Sequence, residues 1–157
     1  MILFHGSNCE VATPDVLHSR SRVDFGKGFY TTPLYEQARK WCERYKRIGE
    51  TGIISRYFCD EIAFEGLMVL RFDSYSEEWL DFITSCRTGR DSSNYDIVIG
   101  GVANDRVFDT IELYFDGLID KREAIKRLYY QRPNFQVCFR TQKAINQCLR
   151  YEGSECL

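Results

Sequence analysis

The segment Asp24-Phe25-Gly26-Lys27-Gly28-Phe29-Tyr30-Thr31-Thr32-Pro33 places two glycines around a lysine and follows them with an aromatic pair. Glycines at this spacing allow the backbone to bend sharply and to approach a ligand closely. The residues at 29–31 have strand composition, and the next two predict a helix start, with Thr32 as N-cap and Pro33 as first helical residue. A strand, a glycine bend and a helix N-terminus commonly hold a nucleotide.

Outward from this segment the chain alternates strand and helix patterns. Apolar residues at spacings of three and four predict a helix over 33–48. Strand composition appears at 1–5, 53–59, 67–72, 95–99 and 136–140, with an edge strand from 151 to the end. Further helices are predicted after the caps Ser76, Asn104 or Asp105, Asp120 and Thr141, reaching 115 and 130 for the middle two. We predict one α+β domain over 1–157.

Composition restricts the class of protein. The chain has 157 residues, 44% of them hydrophobic, which is typical of an ordinary globular domain. A formal net charge of -2 argues against a protein built mainly to coat nucleic acid.

The cysteines and the N-terminus predict the compartment. Seven cysteines occur without a Cys-x-x-Cys pair, and with His5 and His18 alone no zinc set of usual spacing can be written. The first residues lack a charged lead and a long apolar run, so we expect neither a signal peptide nor a membrane span. The interpretation is a reduced, cytoplasmic protein that binds no metal and no membrane.

Three residues stand out by position rather than by type. His5 ends the first predicted strand, Tyr30 follows the glycine bend, and Gln136 begins a late strand. Each alone is more often structural: a satisfied histidine, a core aromatic, an unremarkable amide. Their order along the chain is what favours a shared site.

His5-Gly6-Ser7, the stretch from Phe25 to Tyr30 and the aromatic-bearing helix after it resemble the His-Tyr-Glu branch of the ADP-ribosyltransferase superfamily. That branch includes diphtheria-like toxins and poly(ADP-ribose) polymerases. The whole chain also resembles an uncharacterised bacterial family of the same superfamily, through its late strand and the turn from Gly101 to Asp105. The resemblance implies two small packed β-sheets forming a split NAD-binding cleft with flanking helices.

The same resemblance implies roles for individual residues. His5 would hydrogen-bond the ribose hydroxyls of NAD, and the backbone of Gly6 would hold the nicotinamide carboxamide. Tyr30 would stack on the nicotinamide ring, with Trp41 on its other side. The remaining expected NAD contacts are Ser7, Gly28, Phe29 and Thr31.

Gln136 departs from the superfamily pattern, which has a glutamate at the start of this strand. Glutamine can orient the ribose 2′-hydroxyl but cannot place negative charge beside an oxocarbenium-like transition state. Asp105 and Glu112 are other candidates for the missing acid. The substitution favours single transfer over chain elongation.

The resulting expectation is a mono-ADP-ribosyltransferase. It would transfer ADP-ribose from NAD, its substrate, to a protein or nucleic-acid acceptor and release nicotinamide, with Arg132 and Asn134 in the region that meets the acceptor. Two alternatives remain: an NAD glycohydrolase toxin, and a catalytically weak pseudoenzyme that binds NAD or ADP-ribose. Toxins are frequent among bacterial relatives, so an antitoxin or immunity protein is a further partner that the resemblance implies.

Overall fold

The chain folds into alternating strands and helices. The computed structural model describes residues 1–103, 105–131 and 133–157. Its strands are β1 (Ile2–Ser7), β2 (Phe29–Thr31), β3 (Ile53–Cys59), β4 (Val69–Arg71), β5 (Ile97–Gly101), β6 (Phe135–Phe139) and β7 (Leu149–Cys156). Its helices are α1 (Tyr35–Arg47), α2 (Glu77–Arg87), α3 (Asp105–Phe115), α4 (Lys121–Leu128) and α5 (Gln142–Cys148), with a 3-10 helix at Glu61–Phe64.

The strands form two small sheets, which confirms the predicted α+β class. One sheet has the order β1-β3-β7 and is antiparallel. The other has the order β2-β6-β5-β4, in which β4 and β5 run parallel and the other neighbours antiparallel. An isolated bridge between Phe4 and Thr32 connects β1 to the end of β2. The two sheets therefore meet along the edges that carry the amino-terminal strand and the glycine segment.

Strand β6 separates two hydrophobic cores. Val137 and Phe139 face a core shared with Leu3, whereas Cys138 faces a core that contains Trp79 of α2. Successive side chains of a strand point to opposite faces, and Val137 and Phe139 accordingly lie on the opposite side of β6 from Cys138. Gln136 belongs to the same face as Cys138.

The predicted start of the first helix is wrong by two residues. Thr32 is held extended because its N–H donates to the Phe4 carbonyl (2.9 Å) and its own carbonyl accepts from the Phe4 N–H (2.8 Å). Helix α1 begins at Tyr35, after Leu34 in the cap position. The Thr32 hydroxyl accepts from the Leu34 N–H at 3.1 Å, so Thr32 still satisfies a donor at the helix entrance without being the N-cap.

Other element ends also shift. Strand β1 continues through Ser7, two residues beyond the predicted end, and β5 spans Ile97–Gly101 rather than 95–99. Gly101 stays in the strand because it pairs with Phe135 of β6, and the Tyr75 ring packs against it, at 2.3 Å from where a Cβ would lie. Strand β4 and helix α4 are shorter than predicted. Asn104 and Arg132 lie outside the described residues.

Three predicted helix caps are confirmed. The side chain of Ser76 accepts from the Trp79 N–H, that of Asp120 from the Glu123 N–H, and that of Thr141 from the Ala144 N–H. Each bond satisfies a backbone donor that the first helical turn leaves unpaired.

All seven cysteines are unpaired, and five of them are buried. Cys9 and Cys156 are exposed. In the part of the chain that the structure describes, no helix has the length and apolar character needed to cross a bilayer.

Candidate functional site

A cavity of about 970 Å³ lies where β1 and β2 separate. Its walls come from the end of β1, the loop that follows it, the glycine segment, α1, the end of α2, α3 and β6. Ligand sites of drug or cofactor size typically have volumes of about 300–1,000 Å³. Nearly all residues predicted for the site contribute to it: His5, Gly6, Ser7, Gly28, Phe29, Tyr30, Trp41 and Gln136.

The separation of the two strands begins one residue after the Phe4–Thr32 bridge. Continuing that antiparallel register would pair Gly6 with Tyr30. Instead the Nδ1 atom of His5 forms a hydrogen bond with the Tyr30 carbonyl oxygen, at 2.7 Å. Because backbone groups alternate in direction along a strand, the N–H and carbonyl of Gly6 point the same way as those of Phe4, toward the gap. Among the described residues no hydrogen-bond partner for these two Gly6 groups appears across that gap.

The hydrogen bond of His5 defines its tautomer. A carbonyl oxygen only accepts, so Nδ1 carries the proton. Burial lowers the pKa of His5 from its ordinary value of 6.5, although the bond to Tyr30 opposes this effect, and the charge of Arg44 lowers the pKa further. The ring is therefore neutral at pH 7. Its Nε2 atom has a free lone pair, on a side chain that lines the cavity.

Tyr30 is tied to the glycine bend that precedes it. Its hydroxyl accepts from the Phe25 N–H at 3.0 Å and donates to the Gly26 carbonyl at 2.6 Å. Gly26 has a φ of 74°, a conformation that favours glycine. Burial raises the pKa of Tyr30 well above its ordinary value, so the hydroxyl keeps its proton for the bond to Gly26. The ring of Tyr30, from β2, and that of Trp41, from α1, line the same cavity.

Gln136 contributes a buried amide without a partner. The residue is 4% exposed and lines the cavity. Its Nε2 group has no hydrogen-bond partner in the described structure. An unpaired buried donor destabilises the free protein by roughly 1–3 kcal/mol, so a ligand that accepts this bond would gain affinity.

Two glycines of the site are explained by close packing. A Cβ on Gly6 would lie 2.3 Å from the Ala38 carbonyl oxygen, and one on Gly28 would lie 2.5 Å from the Cys138 sulfur. The first contact brings α1, with Trp41, against the end of β1. The second brings the glycine segment against β6 and covers Cys138, which is fully buried although it lies on the same face of β6 as Gln136.

Ser7 and Thr31 have local structural bonds. The Ser7 hydroxyl donates to the Cys9 carbonyl at 2.5 Å and accepts from the Cys9 N–H at 3.2 Å, at the cavity wall. Thr31 is fully buried, its hydroxyl donates to the Val137 carbonyl at 3.0 Å, and it is not part of the wall. We therefore leave Thr31 out of the site. Lys27, between the two glycines of the bend, is exposed and also absent from the wall.

The sequence patterns did not predict the charged residues of the cavity wall. Arg20, Arg22 and Arg44 line the cavity, and none has an ion pair within the described part of the chain. One available signal was the spacing of Arg44, three residues after Trp41, which places both on one face of α1. Asp24 and Arg87 also line the cavity and bind each other at 2.6 Å.

The other candidate acids do not join this group. Glu112 contacts Arg87 at 3.3 Å but is not part of the cavity wall. The backbone of Asp105 begins α3, and its side chain lies outside the described part of the structure.

The fold and site together define an α+β protein with a ligand-sized cavity between two small sheets. The family model described as Protein of unknown function (DUF3990) matches residues 1–151, and the chain belongs to this family. No curated protein and no solved structure matches the chain.

Proposed function

We propose that the protein binds NAD in this cavity and acts as a mono-ADP-ribosyltransferase with an ADP-ribosyltransferase-like fold. The observation that carries the proposal is the bond from His5 to the Tyr30 carbonyl. It replaces a backbone pair and thereby directs a peptide group, an imidazole nitrogen and an aromatic ring into one cavity.

The nicotinamide end has a complementary surface. A carboxamide carries one acceptor and two donors, and the Gly6 backbone presents one donor and one acceptor toward the gap. The rings of Tyr30 and Trp41 provide aromatic faces from two different elements. Stacking between such faces and a heteroaromatic ring is favourable by about 1–3 kcal/mol per partner.

The ribose hydroxyls need both an acceptor and a donor. The Nε2 atom of neutral His5 accepts, and the unpaired Nε2 group of Gln136 donates. A vicinal diol satisfies both at once, because each hydroxyl donates one bond and accepts another. The free protein leaves the Gln136 donor unsatisfied, which favours a ligand that supplies this oxygen.

The diphosphate of NAD has matching charge. Arg20, Arg22 and Arg44 bring three guanidinium groups to the wall of the same cavity without acidic partners among the described residues. Guanidinium groups bind phosphate oxygens in a bidentate geometry. These arginines distinguish a dinucleotide from nicotinamide or a nucleoside alone.

The reaction is a substitution at the ribose carbon C1′. The glycosidic bond breaks, nicotinamide leaves with the bonding electron pair, and the acceptor nucleophile then bonds to C1′ and loses its proton to solvent. The acceptor is a protein or nucleic-acid group. Gln136 orients the ribose without adding charge, so transfer of a single ADP-ribose unit is the expected activity.

Incubation with NAD labelled in its ADP-ribose part tests the proposal, alongside a calorimetric titration with NAD. Label on a macromolecule supports transfer, free labelled ADP-ribose indicates a glycohydrolase, and binding without turnover indicates a pseudoenzyme. His5→Ala should abolish both binding and turnover, while the surface variant Tyr129→Ala, at a residue 77% exposed, should preserve them. Failure of the parent protein to bind NAD would overturn the proposal.

A further inference from the structure

A carboxylate stands beside the site although the expected glutamate is absent. Asp24 lines the cavity, its side chain is 15% exposed, and it precedes the glycine bend that Tyr30 holds. Arg87 of α2 donates to the Oδ1 atom of Asp24 through Nε at 2.9 Å and Nη2 at 2.6 Å. Both bonds end on the same oxygen, so the second carboxylate oxygen takes no part in the Arg87 pair.

The neighbour of Asp24 locates it relative to Gln136. The Phe25 ring lies 3.0 Å from where a Cβ of Gly100 would be, and Gly100 is the register partner of Gln136 in the β5–β6 pair. Register partners direct their side chains to the same face of a sheet. The glycine segment therefore covers the sheet face that carries Gln136. The charge of Asp24 also reaches Tyr30: after burial and Cys138, it contributes to the raised pKa of that tyrosine.

Arg87 does not belong to Asp24 alone. Its Nη1 atom lies 3.3 Å from the Oε1 atom of Glu112, on α3. Arg87 therefore contacts two carboxylates and compensates the charge of Asp24 only in part.

We propose that Asp24 supplies the negative charge that Gln136 cannot, facing the ribose of bound NAD. This inference rests on the proposed function. As the bond from C1′ to nicotinamide breaks and its electron pair leaves with nicotinamide, positive charge develops on the ribose, and the Asp24 carboxylate stabilises it electrostatically. Arg87 is a positioning residue that sets the direction of the carboxylate.

The test compares two variants that break the same ion pair from opposite sides. Asp24→Asn removes the charge, and Arg87→Met keeps it. Initial rates of nicotinamide release at saturating NAD are measured together with the dissociation constant for NAD. We expect Asp24→Asn to lower kcat by on the order of 10²-fold with little change in NAD affinity, and Arg87→Met to have a much smaller effect.

An anchoring role for Asp24 predicts a different pattern. In that case both variants lose the same activity, because both release the glycine segment from α2, and equal losses overturn the inference. Adding Gln136→Glu to Asp24→Asn restores a carboxylate to the site, and recovery of at least tenfold in kcat supports the inference. No recovery contradicts it.

The remaining outcomes separate this inference from the proposed function. A parent protein that cleaves NAD, with Asp24→Asn equally active, overturns the role of Asp24 alone. A parent that binds NAD without releasing nicotinamide also overturns it, while leaving NAD binding in place. If Asp24→Asn does not fold, the double variant Asp24→Asn with Arg87→Gln is compared with Arg87→Gln alone. The double variant should then show the same loss in kcat relative to Arg87→Gln.

Discussion

The Nδ1 atom of His5 lies 2.7 Å from the carbonyl oxygen of Tyr30, in the place where a backbone N–H would stand if β1 and β2 continued to pair. This side-chain bond joins β1 to β2 beside the cavity and fixes the imidazole tautomer, with the proton on Nδ1. Burial of the same ring lowers its pKa, which can be tested.

Stability should depend on pH through His5. The folded pKa is below the ordinary value of 6.5, so the unfolded chain binds the proton more readily and low pH favours unfolding. The contribution of His5 is present above about pH 6.5 and is lost as the pH falls through the lowered folded value. Urea unfolding of the parent and of His5→Phe over pH 5–8 checks this.

The parent should lose more of its free energy of unfolding below that pH than His5→Phe does. NAD affinity should decline in the same pH range, because protonation removes the Nε2 lone pair. Identical pH profiles for the parent and His5→Phe would contradict the lowered folded pKa of His5.

Tyr30 should have separable roles for its ring and its hydroxyl. Tyr30→Phe removes the bonds to Phe25 and Gly26 and should lower the free energy of unfolding by about 1–3 kcal/mol, at 0.5–1.5 per bond. Tyr30→Ala also removes the ring and should weaken NAD binding by about 1–3 kcal/mol, roughly 5–150-fold. Chemical denaturation and calorimetry measure the two effects; equal NAD affinity for Tyr30→Ala and the parent would exclude stacking on Tyr30.

Gly6 should tolerate no side chain. A Cβ would lie 2.3 Å from the Ala38 carbonyl oxygen and 2.9 Å from the Cys42 sulfur. Gly6→Ala must therefore displace α1 from β1, at a cost of about 1–3 kcal/mol in the free energy of unfolding. Thermal unfolding measures it. Adding Cys42→Ala removes the sulfur contact but not the backbone one, so the double variant should stay destabilised; a return to the stability of Cys42→Ala would contradict this account.

How far the fold follows from the sequence depends on the range of each contact. The caps Ser76, Asp120 and Thr141 were predictable because each bond spans three residues. The alternation at Val137 and Phe139 was predictable for the same local reason. Thr32 was misassigned because its conformation depends on Phe4, which is 28 residues earlier in the chain and pairs with it across the sheets.

Which residues of the candidate site could be predicted depends likewise on the range of their contacts. His5, Tyr30 and Gln136 were proposed through a resemblance in their order, and all three line one cavity in the structure. Asp24 and Arg87 were missed because their pairing joins the glycine segment to α2 across 63 residues. Thr31 was included by its adjacency to Tyr30, although alternation turns its side chain to the opposite face of β2.

Gln136 should show opposite effects on stability and on binding. In the free protein its Nε2 donor is buried and unpaired, so Gln136→Leu, which has a similar volume and no polar atoms, should raise the free energy of unfolding by about 1–3 kcal/mol. The same variant should weaken NAD binding and slow nicotinamide release, because the donor to the ribose is gone. Gln136→Glu should keep or raise the rate, since a carboxylate orients the ribose and adds charge stabilisation.

Gln37 provides the matched control for this prediction. It is also a buried glutamine with an unpaired atom, Oε1, but it does not line the cavity. Its Nε2 group donates to the Phe135 carbonyl at 3.4 Å, so Gln37→Leu exchanges a weak bond for the relief of an orphaned acceptor. Gln37→Leu should therefore leave NAD binding and nicotinamide release unchanged. Denaturant unfolding, calorimetry and initial rates on the same preparations compare the two positions. Destabilisation by Gln136→Leu would mean that the amide has a hydrogen-bond partner in the free protein. NAD binding by Gln136→Leu as tight as that of the parent would mean that the amide does not contact NAD, and the third polar group of the site would then lie elsewhere.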